Sequence, residues 1–197
     1  GRHDPLAAVS RPVLRGQCDL VKEAPNAMAV SLPILGAHMS MAGGFFRAIE
    51  RGHKVGCRCV QIFLKNNNQW RASEMTDLDV ERFHAAVLQY DMDHLIAHCS
   101  YLINLASPDK ALWKKSLDAL VIELHRAERL CIPYVVLHPG AFTTSSQQAG
   151  LRQVVRALNE VHRQTRGLQA ICLLENTAGQ GTCLGWRFEQ LAAVLDG

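Results

Sequence analysis

The chain of 197 residues has no apolar stretch approaching the roughly 20 residues that a membrane-crossing helix needs, so none is expected. It also lacks a phosphate-cradling turn: Met39-Ser40-Met41-Ala42-Gly43-Gly44 is neither GxGxxG nor a P-loop, which weighs against a nucleotide-binding doubly wound sheet. No second cysteine pair at zinc-ribbon spacing accompanies Cys57-Arg58-Cys59, and that pair runs into Val60-Gln61-Ile62-Phe63, so both cysteines read as strand residues. A secretory signal is missing too. The seven cysteines, an odd number, are therefore expected as reduced thiols in the cytoplasm. Charge of one sign is scarce, and a net charge of +3 permits a nucleic-acid partner without arguing for one. Residues 1–32 carry no sustained hydrophobic period and no initiator methionine; they are expected to form an unstructured leader or a gene-boundary extension, with Met28 as a candidate start.

What is present is regular. With 48% hydrophobic and 20% charged residues, the 197-residue chain has the make-up of one globular domain, expected over residues 33–197. Five short apolar runs, Ile34–Ala37, Cys59–Leu64, Leu95–Ala97, Tyr134–Leu137 and Ala170–Leu174, read as strands buried on both faces of a parallel sheet. Amphipathic helices alternate with them. Val80, Phe83, Val87 and Tyr90 mark one helix, Trp113, Leu117, Leu120, Val121 and Leu124 another, and Leu151, Val154, Val155 and Leu158 a third. Phe188, Leu191, Ala192 and Leu195 mark the apolar face of a last one. Thr76 with Asp79 forms a capping box, and Ser107-Pro108 places proline at a first helical position.

Strand-helix alternation implies an α/β fold with right-handed crossovers, either doubly wound or a TIM barrel. The polar residues favour the barrel, whose working groups gather at the carboxyl ends of successive strands. The first, third, fourth and fifth runs end in His38, His98, His138 and Glu175, and the second ends in the polar loop Lys65-Asn66-Asn67-Asn68-Gln69-Trp70. A lone histidine beside apolar residues is usually structural, and His53, His84, His94, His125 and His162 receive no role. His98, His138 and Glu175 come from consecutive strands and would converge, giving two imidazoles and a carboxylate suited to zinc, manganese or iron rather than magnesium. Three convergent polar groups could equally bind a sugar. In the loops, the cation, amides and aromatic of Lys65–Trp70 and the exposed Tyr101 suit phosphate contacts and base stacking.

Gly36-Ala37-His38-Met39-Ser40, Lys65-Asn66 with Gln69-Trp70-Arg71, Ser100-Tyr101-Leu102-Ile103-Asn104-Leu105, His138-Pro139-Gly140 and Glu175-Asn176-Thr177-Ala178-Gly179-Gln180-Gly181 together resemble the endonuclease IV family of abasic-site DNA repair enzymes. The resemblance runs from about Leu35 to Gly197 and implies a TIM barrel with three zinc ions that acts on double-stranded DNA containing abasic sites. Such an enzyme cleaves the backbone 5′ to the lesion to leave a 3′-hydroxyl. By the same resemblance His98, His138 and Glu175 match the ligands of one zinc, with Glu175 bridging to a second and serving as the catalytic carboxylate. Asn66, Asn68, Gln69 and Tyr101 match segments that enter the minor groove, although an arginine is common in the family where Asn68 stands. About five of eight strand-helix units fall within the 197 residues, so the chain is expected to be truncated, inactive as it stands, able to hold about one zinc, and monomeric when complete. The alternatives are a sugar isomerase or epimerase of the related metal-dependent barrels, against which the two DNA-facing loops weigh, and a non-catalytic DNA-binding remnant.

Overall fold

Five strands and five helices alternate among the residues described by the computed structural model, which are 33–92 and 94–197; the expectations for residues 1–32 lie outside them. The order is β1 (Gly36–His38), α1 (Phe45–Lys54), β2 (Cys59–Phe63), α2 (Asp77–Gln89), β3 (His94–His98), α3 (Lys110–Arg129), β4 (Tyr134–Leu137), α4 (Gln147–Gln164), β5 (Ile171–Leu174) and α5 (Phe188–Leu195). All strand pairs are parallel and the strands lie side by side in chain order. This is a partial TIM barrel in which every carboxyl end points the same way.

Register carries the core. Val60 pairs with Leu95 and Ile62 with Ala97, and Ala97 pairs in turn with Val135, so one row of buried apolar side chains runs across three strands. Helix α3 closes over the sheet with Leu117, Leu120 and Leu124, all essentially without solvent contact. Truncating any of these leucines to alanine should cost about 2–5 kcal/mol. The outer strands depart from the expected burial: β1 is exposed throughout and β5 alternates between exposed and half-buried. A run of apolar residues marks a strand, but its burial depends on what covers each face, and only the three inner strands have a strand on either side among the described residues.

Local signals set the helix starts. The Thr76 side chain accepts from the Asp79 amide while the Asp79 carboxylate accepts from the Thr76 amide, completing the expected capping box of α2. Before α3, Pro108 is not the first helical residue. Asp109 caps the helix instead, accepting from the amides of Ala111 and Leu112 at 2.8 and 3.1 Å, because a carboxylate satisfies two orphan donors and proline none. Helix α5 is rotated from the expected face: Gln190 and Val194 are buried, whereas Phe188, Ala192 and Leu195 are exposed. The Gln190 side chain accepts from the Gly185 amide at 2.8 Å and donates to Gln147 of α4 at 3.0 Å, and these bonds set the rotation.

Candidate functional site

Strand β3 ends at His98, β4 at the residue before His138, and β5 at the residue before Glu175. Because the three strands are parallel and adjacent, their ends bring these side chains to one place. One donor atom from each lies within 4.8 Å of the others, the one such group of three or more among the described residues. Both imidazoles address a single carboxylate oxygen: Glu175 Oε2 lies 3.0 Å from His98 Nε2 and 2.9 Å from His138 Nε2. His98 is buried, while His138 and Glu175 are half-buried, which leaves the group open on one side.

A carbonyl oxygen can only accept, so His98 Nδ1, 2.7 Å from Cys99 O, must carry the proton. In neutral His98 the Nε2 lone pair then faces the carboxylate, acceptor against acceptor. Such a contact calls for a positive species between them, either a second ring proton or a metal cation. A ligating histidine whose other nitrogen donates to a backbone carbonyl is the arrangement that metal sites use to fix ring orientation. The donor set therefore fits zinc.

Aromatic rings surround the group. Tyr101, 61% exposed, stands 5.2 Å from His98 and 5.7 Å from His138 between ring centroids, and Phe63 lies 5.5 Å from Tyr101 and 5.8 Å from His98. His38 does not join the three ligands. Its Nδ1 lies 3.0 Å from Gln61 Oε1 and its ring packs 4.3 Å from Phe63.

In the loop after β2, Asn66, Asn68 and Gln69 are exposed at the same strand ends as Tyr101. Two neighbours do not offer what the sequence suggested. Lys65 is turned inward, 3% exposed, donating to Gln69 O at 2.6 Å and pairing with Glu123 at 3.7 Å, so its charge is satisfied inside the fold. Trp70 is half-buried beneath the Lys115 ammonium, 4.5 Å from its ring centre. Glu123 and Arg126 of α3 were missed. The signal was present for Glu123, three residues after Leu120 on the apolar face, where a charge needs a partner; Arg126, two residues after Leu124, falls off that spacing and is buried by its bonds to the loop after β2.

The loops at this end are tied to one another. Asn104 accepts from the Ala141 amide at 2.9 Å and donates to the Ala141 carbonyl at 3.0 Å, while the Leu184 amide donates to Gly140 O at 2.8 Å. Behind Glu175, Asn176 donates to Gly185 O at 2.6 Å and Thr177 to Leu184 O at 2.9 Å, which folds the glycine-rich segment back on itself. Gly179 has φ +75°, and an added Cβ would lie 2.6 Å from the Trp186 side chain, so this glycine serves the turn and that contact.

The family model described as a xylose isomerase-like TIM barrel matches residues 49–197. Among curated proteins, probable endonuclease 4 of Trichlorobacter lovleyi is 42% identical over 163 residues, 83% of this chain and 58% of that protein. Probable endonuclease 4 of Chloroflexus aggregans is 43% identical over 165 residues, 84% and 58% of the two. The chain thus spans about three-fifths of the curated relatives it matches. Among solved structures, endonuclease IV from Thermus thermophilus superposes with a TM-score of 0.70 at 34% identity, covering 83% of this chain and 59% of that one. A D-tagatose 3-epimerase-like protein superposes at 0.65 with 16% identity, a likeness of fold alone. With its barrel half built from the same strands and its imidazoles and carboxylate at their ends, the chain belongs to the xylose isomerase-like TIM barrel family, among the endonuclease IV proteins.

Proposed function

We propose that this chain carries a zinc site and the lesion-facing loops of an apurinic/apyrimidinic endonuclease, a protein that cleaves duplex DNA 5′ to an abasic site and leaves a 3′-hydroxyl. One observation carries the reading: an exposed tyrosine ring rests against two histidines that share a carboxylate oxygen. His98, His138 and Glu175 would hold the ion. Zinc supplies Lewis acidity when bound, polarising a phosphodiester oxygen and acidifying water near neutral pH.

The chain's own residues do the rest. Glu175 holds both imidazoles through one oxygen, Oε2. Tyr101 offers an aromatic surface to the gap a missing base leaves, and Asn66, Asn68 and Gln69 offer amides to phosphates and groove edges. The favoured partner is a DNA duplex, bound by a cytoplasmic monomer. No helix among the described residues is long and apolar enough to cross a membrane.

The test is incision of a labelled duplex with one abasic site by the intact protein that carries this chain, with zinc supplied. Cutting on the 5′ side, dependent on zinc and absent on undamaged duplex, is expected. Tyr101→Ala should lower the preference for abasic over intact duplex by about tenfold, since stacking on an aromatic is worth about 1–3 kcal/mol per base. Zinc-replete protein that neither cuts nor prefers abasic duplex would sink the proposal.

A further inference from the structure

Behind the two loops that face solvent at the strand ends lies a sealed polar network. The Glu123 carboxylate, without solvent contact, accepts from the Ser100 amide with both oxygens at 3.2 Å and pairs with Lys65 Nζ at 3.7 Å. Lys65 reaches on to Gln69 O at 2.6 Å. The Ser100 hydroxyl donates to Asn67 O at 2.7 Å and accepts from the Leu102 amide at 3.3 Å. One turn further along α3, Arg126 donates from Nε to Leu64 O and from Nη1 to Ser73 O, each at 2.8 Å, clamping both ends of the first loop. A buried carboxylate and ammonium are costly to desolvate, and an apolar pair of similar volume is often as stable. Retaining them here therefore serves geometry. Apart from the Lys65–Glu123 ion pair, every bond in the network has an end on backbone of residues 64–73 or 100–102, the segments that bear Asn66, Asn68, Gln69 and Tyr101.

We propose that Glu123 is a positioning residue: through Ser100 and Lys65 it fixes Tyr101 and the Asn66–Gln69 loop in one relative placement, so that the two loops read a lesion as a single unit. The recognition half rests on the DNA reading above. Glu123 touches neither metal nor DNA. It acts from the helix layer, holding the turn that follows His98 and, through Lys65, the loop that follows β2. The metal ligand itself is held separately, by the Cys99 carbonyl on His98 Nδ1.

Two variants separate positioning from stability. Glu123→Gln keeps the volume and one acceptor but removes the charge that draws Lys65. Ser100→Ala leaves Glu123 and Lys65 in place and cuts the hydroxyl bond between the loops. In each, amide exchange is followed at residues 65–70 and 100–103 with β3 and β4 as reference, and affinity is measured for abasic and intact duplex. Exchange at both loops should rise together by about tenfold while the strand amides stay protected. The preference for abasic duplex should fall severalfold with zinc content and affinity for intact duplex unchanged. Loosening of one loop alone, or loosening of the strands in step with the loops, overturns the proposal. So does unchanged preference in variants whose loops exchange faster. If the wild-type protein shows no preference for abasic duplex, the DNA reading and the recognition half fall together, while the exchange data still decide whether Glu123 couples the loops.

Discussion

Glu175 Oε2 is shared by two imidazole nitrogens within 3.0 Å, and this sharing makes the carboxylate the hub of the site. Glu175→Gln removes the charge and sets an amide against two nitrogens; zinc affinity by calorimetric titration should fall by more than about tenfold with the melting temperature of the metal-free chain little changed. Undiminished affinity would exclude Glu175 as a ligand. Glu123 makes a different prediction. Burial pushes its carboxyl up to about 7 against the pull of Lys65 and the Ser100 amide. A folded-state value above the unfolded one means that the stabilisation is whole below pH 4.5 and is lost as pH rises through about 7. The melting temperature of the wild type relative to Glu123→Gln should therefore decline across that window. A difference that grows instead would mean that Lys65 outweighs burial. The three candidate ligands were legible because each follows an apolar run, so strand geometry alone converges them. The inward turn of Lys65 was not legible, since its partner lies on α3, far along the chain.

At the scale of elements, what the sequence disclosed was local and what it hid was tertiary. Strand positions and the Thr76 capping box follow from neighbours within a few residues; the box forms as expected and each strand overlaps its apolar run, although β1 begins at Gly36, two residues later than its run. Helix α1 carries a local signal of the same kind: Phe45, Ala48, Ile49 and Gly52 recur at helical spacing and are all buried. The exposed β1 and the rotated α5 depend on packing partners, which periodicity does not encode, whereas the place of Pro108 is set locally by the stronger cap Asp109 beside it. Gly140 shows how closely the loops depend on one another. It has φ +104°, and an added Cβ would stand 2.3 Å from Asn104 Oδ1, the atom that accepts from the amides of Ala106 and Ala141. Gly140→Ala should cost about 1–3 kcal/mol in chemical denaturation through backbone strain and the displaced asparagine. A loss below the error of measurement would show that the Asn104 tie between the β3 and β4 loops is slack.

For the molecule as a whole, the proposed metal site would couple to the fold. A ligand that binds only the folded chain stabilises it by about 2.7 kcal/mol when present at 100 times its dissociation constant. Zinc should accordingly raise the melting temperature. That gain should be lost in His138→Ala, which removes one of the three side chains that would ligate the ion. A shift that survives in that variant would place the zinc elsewhere. The rings that line the site carry one more consequence. From His38 through Phe63 and Tyr101 to His98 and His138 they touch in an unbroken series, so the surface proposed for DNA is supported by the groups proposed for zinc. Two ligands sharing one support obey reciprocity: whatever factor zinc adds to the hold on abasic duplex, abasic duplex must add to the hold on zinc. Damaged DNA would then act as a cofactor for metal retention, and a protein idle on undamaged DNA would surrender its zinc to a chelator sooner than one engaged at a lesion.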